Sequence, residues 1–165
     1  MSAKNAYEYN LSRWSDIQAH LPRLYAAAKG NCLEIGVRTG VSTSALLAGI
    51  EDHGGHLTSL DIEACHVFTG HPAWTFFQAD TVKNIAALKE LTHKDWDILF
   101  VDGDHSFEGA LSDLSHFGEK AKRIFVHDTD APDFPGVKQA VEEFVKQAKR
   151  KVTYHSGSYG MAEIV

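Results

Sequence analysis

Cysteine is scarce in this 165-residue chain. Only two occur, Cys32 and Cys65, and they stand too far apart for a Cys-x-x-Cys pair, so neither a zinc site nor a disulfide framework has support in the spacing. Cys32 reads as core packing, the usual habit of a free cysteine. Basic charge is also short. Sixteen Lys and Arg against 22 Asp and Glu leave a formal net charge of −6, which disfavours a nucleic-acid binder, because phosphate affinity relies on clustered cations. The basic run Lys146, Lys149, Arg150 and Lys151 reads as the solvated end of a helix, where cations suit the dipole. No apolar run approaches a bilayer span, so no membrane partner is expected. Residues 1–10 are polar and hold no apolar signal core, and the expectation is a cytoplasmic protein. There is no internal repeat, low-complexity tract or linker, and the length suits one domain that buries roughly 70% of its unfolded surface.

What the chain does have is a repeated change of period. Over residues 11–28 apolar side chains recur at helical spacing (Leu11, Trp14, Ile17, Leu21, Leu24, Tyr25), with Ser12 as the candidate amino-terminal cap and Pro22 as a point of division. These residues belong to an N-terminal helical segment, 1–29. The main domain, 30–165, then alternates: strand 31–37, helix 42–50, strand 56–60, helix 64–69, strand 74–78, helix 82–91, strand 96–101, helix 107–117, strand 123–126 and helix 137–148. Strands that alternate with helices need right-handed crossovers and build a parallel sheet covered on both faces. Residues 151–155 and 160–165 follow without a helix between them, a hairpin that adds antiparallel strand to the sheet edge. The expected fold is therefore a Rossmann-like, doubly wound α/β domain with a mostly parallel seven-stranded sheet. In such sheets ligands bind beyond the carboxyl ends of the strands, which points to the residues after Ile35, Leu60, Val101 and Val126.

Beyond the first strand stands Glu34-Ile35-Gly36-Val37-Arg38-Thr39-Gly40. Glycines at such a turn let the backbone bend sharply and approach a ligand, or serve only a tight strand-to-helix connection. A dinucleotide fingerprint needs Gly-x-Gly-x-x-Gly, and this loop has Gly-x-x-x-Gly, so NAD is disfavoured. Glu34 is costly to bury unless a cation or a donor meets it, and a ligand ammonium would serve. Asp61 ends the second strand, where a carboxylate can accept both hydroxyls of a ribose. Asp80 ends the third and reads either as an adenine contact or as a helix cap.

The run 32–42, together with Asp61, Asp80 and Phe100-Val101-Asp102-Gly103-Asp104-His105-Ser106, resembles the class I S-adenosylmethionine-dependent methyltransferases. Within them it is most similar to the branch of macrocin-type sugar O-methyltransferases and cephalosporin-hydroxylase-like proteins, over about residues 30–165. The resemblance implies that Glu34, Gly36, Arg38, Gly40, Ser42, Asp61, Asp80 and Asp102 bind S-adenosylmethionine. It also implies neighbouring strands before Asp102 and before His127-Asp128, whose side chains then converge over one crevice. Convergent carboxylates recruit a cation or hold a proton. By similarity Asp102, His127 and Asp128 are metal ligands for Mg2+ or Mn2+, although imidazole at His127 favours the softer ions and the ring reads equally as a structural hydrogen-bond partner. Asp104 and His105 are the candidate general bases for a sugar or phenol hydroxyl, with helix capping as the other use of Asp104 or Ser106.

The expected activity is thus metal-aided O-methylation of a small hydroxyl-bearing molecule. Two other classes stay open at this point: a cofactor-binding module without turnover, and a metal-dependent hydrolase. Trp14, Phe107 and Phe134 are wall residues for an acceptor by position. An exposed sheet edge or the amino-terminal helix offers a homodimer interface.

Overall fold

The strands with mostly apolar runs are those covered on both faces. In β1 (Gly30–Ile35) and β4 (Trp96–Val101) the last four residues of each are buried. The structure, a computed structural model, describes residues 2–165; Met1, the first residue of the segment 1–29, lies outside them. Adding β2 (Gly55–Asp61), β3 (Trp74–Gln78), β5 (Ala121–His127), β6 (Val152–His155) and β7 (Met161–Ile164) gives a seven-stranded sheet of order β3-β2-β1-β4-β5-β7-β6. The first five strands are parallel, and β7 runs antiparallel to both its neighbours.

Strand order reverses between β1 and β4, the switch point at which an open α/β sheet parts its loops to either side. The register aligns the strand ends. Ile35 lies opposite Leu60 and Val101, and Val101 opposite Val126. Gly36, Asp61, Asp102 and His127 therefore emerge along one rim.

Alternation along each strand sends side chains to two cores. Cys32, Leu57, Ile98, Phe100 and Phe125 meet α1 (Ala3–Leu11), α2 (Leu21–Ala27) and α3 (Val41–His53) on one face. Leu33, Leu60, Leu99, Val101 and Ile124 meet α5 (Phe107–Phe117) and α6 (Pro135–Ala148) on the other. Helix α3 is buried from Ser42 through Ile50 because α1 and α2 roof it.

Four readings of the sequence are corrected. The stretch 11–28 is not one helix: α1 ends at Leu11, bends and turns follow, and only the 3-10 turn Gln18–His20 and α2 are helical beyond them; Ser12 stands at the carboxyl end of α1, where its amide meets the carbonyls of Glu8 and Tyr9, and Ser2 is the amino-terminal cap. Pro22 sits in the first turn of α2, where its missing N–H costs nothing. Residues 64–69 form turns that bury Cys65 and Phe68 without a helix. Of the helix over 82–91 only the short α4 (Lys89–His93) is helical at its end, after a chain of turns. The antiparallel hairpin expected at the sheet edge is present, with β7 inserted between β5 and β6. Among the described residues no helix is long and apolar enough to cross a membrane.

Candidate active site

The turn after β1 has the left-handed backbone that its glycines permit. Gly36 has φ of 92°, and a Cβ there would stand 2.0 Å from the carbonyl oxygen of Asp102. Because Gly36 has no side chain, the loops after β1 and β4 press together. Arg38 holds a φ of 49° without being glycine, the kind of strain that persists where surrounding contacts fix it. Its amide and that of Val37 donate to Oδ2 of Asp61, at 2.9 and 2.7 Å.

Glu34 is fully buried behind this turn. The hydroxyls of Ser42, Thr43 and Ser59 donate to its carboxylate at 2.6 to 3.0 Å, and Trp74 Nε1 donates to Ser59 Oγ in turn. Burial pushes the carboxyl up to about 7, against the pull of these hydroxyls. The donors that a buried carboxylate requires are thus supplied by the protein, and Glu34 is absent from the cleft wall.

Along the rim runs a cleft of about 490 Å³, within the range of small-molecule sites. One end is lined by Asp61, Ile62 and Glu63 after β2 and by residues 79–82 after β3. Asp61 has Oδ1 on the amide of Glu63 and retains lone pairs for a ligand. Asp80 caps the turn after it, accepting from the amides of Val82 and Lys83. Those bonds and the Lys83 ammonium hold its carboxyl below the usual range. Ile62 and Val82 are exposed apolar residues on this end of the cleft.

At the other end four titratable groups meet. Asp102 Oδ1 lies 3.2 Å from His127 Nδ1 and 3.5 Å from His105 Nε2, and Asp128 Oδ2 lies 3.3 Å from the same His105 nitrogen. Asp128 adopts φ of 62°, another non-glycine residue in the left-handed region. Nε2 of His127 faces the carbonyl oxygens of Ser158, at 2.8 Å, and Asp16, at 3.2 Å, so that nitrogen carries a proton. Burial favours the neutral His127 ring, but the bond to Asp102 and the charges of Asp102 and Asp128 outweigh it and raise the ring to about 9. Burial disfavours ionised Asp102, yet His105 and His127 together hold it below the carboxylate range. Burial raises Asp128. His105 is raised by Asp102 against the effect of burial, packs its ring 4.5 Å from that of Phe134, and leaves Nε2 buried without a hydrogen-bond partner.

One ligand atom each from Asp102, His105 and Asp128 lie within 4.8 Å of one another, a grouping that could hold a metal ion. A pair of carboxylates with an adjacent unpartnered imidazole fits a divalent cation. Oxygen ligands suit Mg2+, and nitrogen shifts the preference towards Mn2+ and the later metals.

A family model described as a methyltransferase domain matches residues 33–129, from within β1 to just beyond β5. The chain belongs to this family. It is a class I S-adenosylmethionine-dependent methyltransferase in fold and family. No curated protein sequence matches it. Among solved structures, cofactor-bound Rv0187 from MTB is similar with TM-score 0.69 and 18% identity, covering 99% of this chain and 87% of that one. CalS11, a TDP-rhamnose 3'-O-methyltransferase of calicheamicin biosynthesis, has TM-score 0.66 and 14% identity over 88% of this chain and 76% of its own. MycE of the mycinamycin pathway, in complex with Mg, SAH and mycinamycin VI, has TM-score 0.67 and 15% identity; it is matched over 99% of this chain but only 54% of its own.

In this methyltransferase the structure brings Gly36, Arg38, Ser42, Asp61, Asp80, Asp102, Asp104, His105, His127 and Asp128 to one cleft. Gly40 stands outside it, capping α3 with φ of 78°. His127 is next to the carboxylate pair, but the grouped imidazole is that of His105. Sequence reading missed Asp16 and Ile17, which line the cleft from the loop between α1 and α2. No local pattern marks them, because their partners lie far away in the chain: His127 is 111 residues from Asp16.

Proposed function

We propose that this methyltransferase moves the sulfonium methyl of S-adenosylmethionine to a hydroxyl oxygen of a small acceptor, with a divalent cation at the acidic end of the cleft. The observation that carries the reading is His105 Nε2, buried, unpartnered and within 3.5 Å of both Asp102 and Asp128. Asp61 accepts from the ribose, and the apolar Ile62 and Val82 pack on the base. Asp102 and Asp128 hold the cation. His127, with Nε2–H fixed on two carbonyls, offers Nδ1 as a further ligand, the arrangement in which a backbone acceptor sets a ligand's tautomer. A bound divalent cation makes a coordinated hydroxyl more acidic.

His105 then accepts the hydroxyl proton, Asp104 lies beside it in the cleft wall, and Phe134 fixes the imidazole and keeps water from one side of it. Alignment and exclusion of water are the protein's share of such a transfer. The naming of CalS11 as a sugar O-methyltransferase and of Mg and SAH in MycE agrees with this assignment. A hydrolase would leave the nucleoside half of the cleft without a use.

The test is transfer of radiolabelled methyl from S-adenosylmethionine to a panel of sugar and phenol hydroxyls, with and without EDTA. Turnover that falls in EDTA and returns with Mn2+ or Mg2+ is expected. Turnover indifferent to EDTA would remove the cation from the reading, and transfer to nitrogen acceptors alone would remove the hydroxyl.

A further inference from the structure

Four successive residues in the loop from β6 to β7 hold left-handed backbone: Gly157, Ser158, Tyr159 and Gly160, with φ of 90°, 44°, 61° and 79°. Two of them carry side chains, and such strain persists only where the surroundings over-determine it. Here the surroundings come from distant segments. His20 Nε2 donates to the Gly157 carbonyl at 2.7 Å, and the neighbouring Ala19 amide donates to Ser158 Oγ at 3.1 Å. The Asp130 amide donates to the Tyr159 carbonyl at 2.7 Å. The carbonyl between these two, that of Ser158, accepts from His127 Nε2 at 2.8 Å. The same nitrogen reaches the carbonyl of Asp16 at 3.2 Å, and Asp16 belongs, like His20, to the connection between α1 and α2.

We infer that His20 is a positioning residue for the acidic end of the cleft: by fixing the left-handed loop it sets the carbonyl that orients His127. This rests on the reading of His127 as a further ligand of the cation. An imidazole has two nitrogens, and the bond made by one decides what the other offers. With Nε2–H spent on Ser158 and Asp16, Nδ1 is the nitrogen turned to Asp102, 3.2 Å away. His20 is buried, and its ring meets that of His127 edge-on with centroids 6.0 Å apart. It is absent from the cleft wall, so its influence on the site passes through the loop and through His127. The pattern also explains why a strained turn is kept at this place. Relaxing Ser158 to ordinary backbone would swing its carbonyl away from the imidazole and release the ring.

Two measurements on the full chain test the assignment: Mn2+ binding, read from the electron paramagnetic resonance of the free ion, and NMR of the imidazole nitrogens without metal. His20→Phe keeps a ring in the space and removes the donor. It should weaken Mn2+ by about tenfold, the lower end of what partners behind a metal ligand contribute, and open the Nε2 proton of His127 to fast exchange with water. His20→Gln, whose side-chain amide can donate to Gly157, should recover most of both. Affinity for S-adenosylhomocysteine, by calorimetry, should be unchanged in either variant. A His20→Phe chain with the Mn2+ affinity and the His127 ring proton of the wild type would overturn the inference. So would equal losses in both variants together with weaker S-adenosylhomocysteine binding, which mark a general loosening of the fold. A wild-type chain that binds no Mn2+ would instead overturn the cation reading, and the ring proton of His127 would still decide the role of His20.

Discussion

Glu34 stands near the carboxyl end of β1 and Asp102 just beyond that of the neighbouring β4, two positions apart in register, and their surroundings could hardly differ more. Glu34 is enclosed by three hydroxyls that answer its oxygens, and its network extends to the indole of Trp74. Asp102 is partly open to the cleft and shares its charge with His105, His127 and Asp128, among which one buried nitrogen lacks a partner. A carboxylate whose bonds are all made fixes structure. One whose neighbours are left unsatisfied is free to bind something else. The difference divides the rim into a framework at β1 and a reactive end at β4 and β5.

The strongest way to break this division is to exchange roles by substitution. Asp128→Asn removes a charge from the reactive end, and turnover is expected to fall roughly a thousandfold, as for loss of a group that acts on both cation and proton. Affinity for S-adenosylhomocysteine, measured by calorimetry, should stay within about twofold if Asp128 acts only on the chemistry. Glu34→Ala works on the framework. It strands three buried hydroxyls and opens a cavity, and a loss of about 3 kcal/mol in unfolding free energy is expected from denaturant titration. Retained stability together with lost turnover would place Glu34 at the reactive end after all.

The extent to which this was legible in the sequence follows the same line. Strands β1, β4 and β5 were readable because burial on both faces leaves mostly apolar runs, and the sheet then fixes where Asp102 and Asp128 must emerge. Residues 82–91 were read as helix because Val82, Ile85 and Leu88 keep a helical spacing. Ile85 and Leu88 do pack on the core, but from turns, with Val82 left exposed beside the cleft. Helix α1 escaped notice because it buries only Ala3, Ala6 and Tyr7, too small a stripe to stand out from a polar segment. The partners of Glu34 come from α3 and β2, and those of His127 from the loops at Asp16 and Ser158. Such contacts are products of the fold, with no spacing that announces them.

A third carboxylate sharpens the comparison, with the smallest expected effect. Asp113 of α5 is 1% exposed, as enclosed as Glu34, yet neither of its oxygens has a well-formed hydrogen bond. Burial raises its carboxyl to about 6, and the Thr81 hydroxyl, on the cleft wall, eases that only in part. Because the folded chain holds this proton more tightly than the unfolded one, the charge destabilises the fold. The penalty is fully present above about pH 6 and fades as pH falls towards the unfolded value near 4. Asp113→Asn should therefore stabilise the protein by about 2 kcal/mol at pH 8 and by almost nothing at pH 4. Denaturant titrations at the two pH values check it. Equal effects at both would mean that the charge is already answered and that Asp113 belongs with Glu34 in the framework. A gain confined to high pH would show that an unanswered carboxylate lies directly beneath the cleft, where Gly103 and Thr81 meet α5.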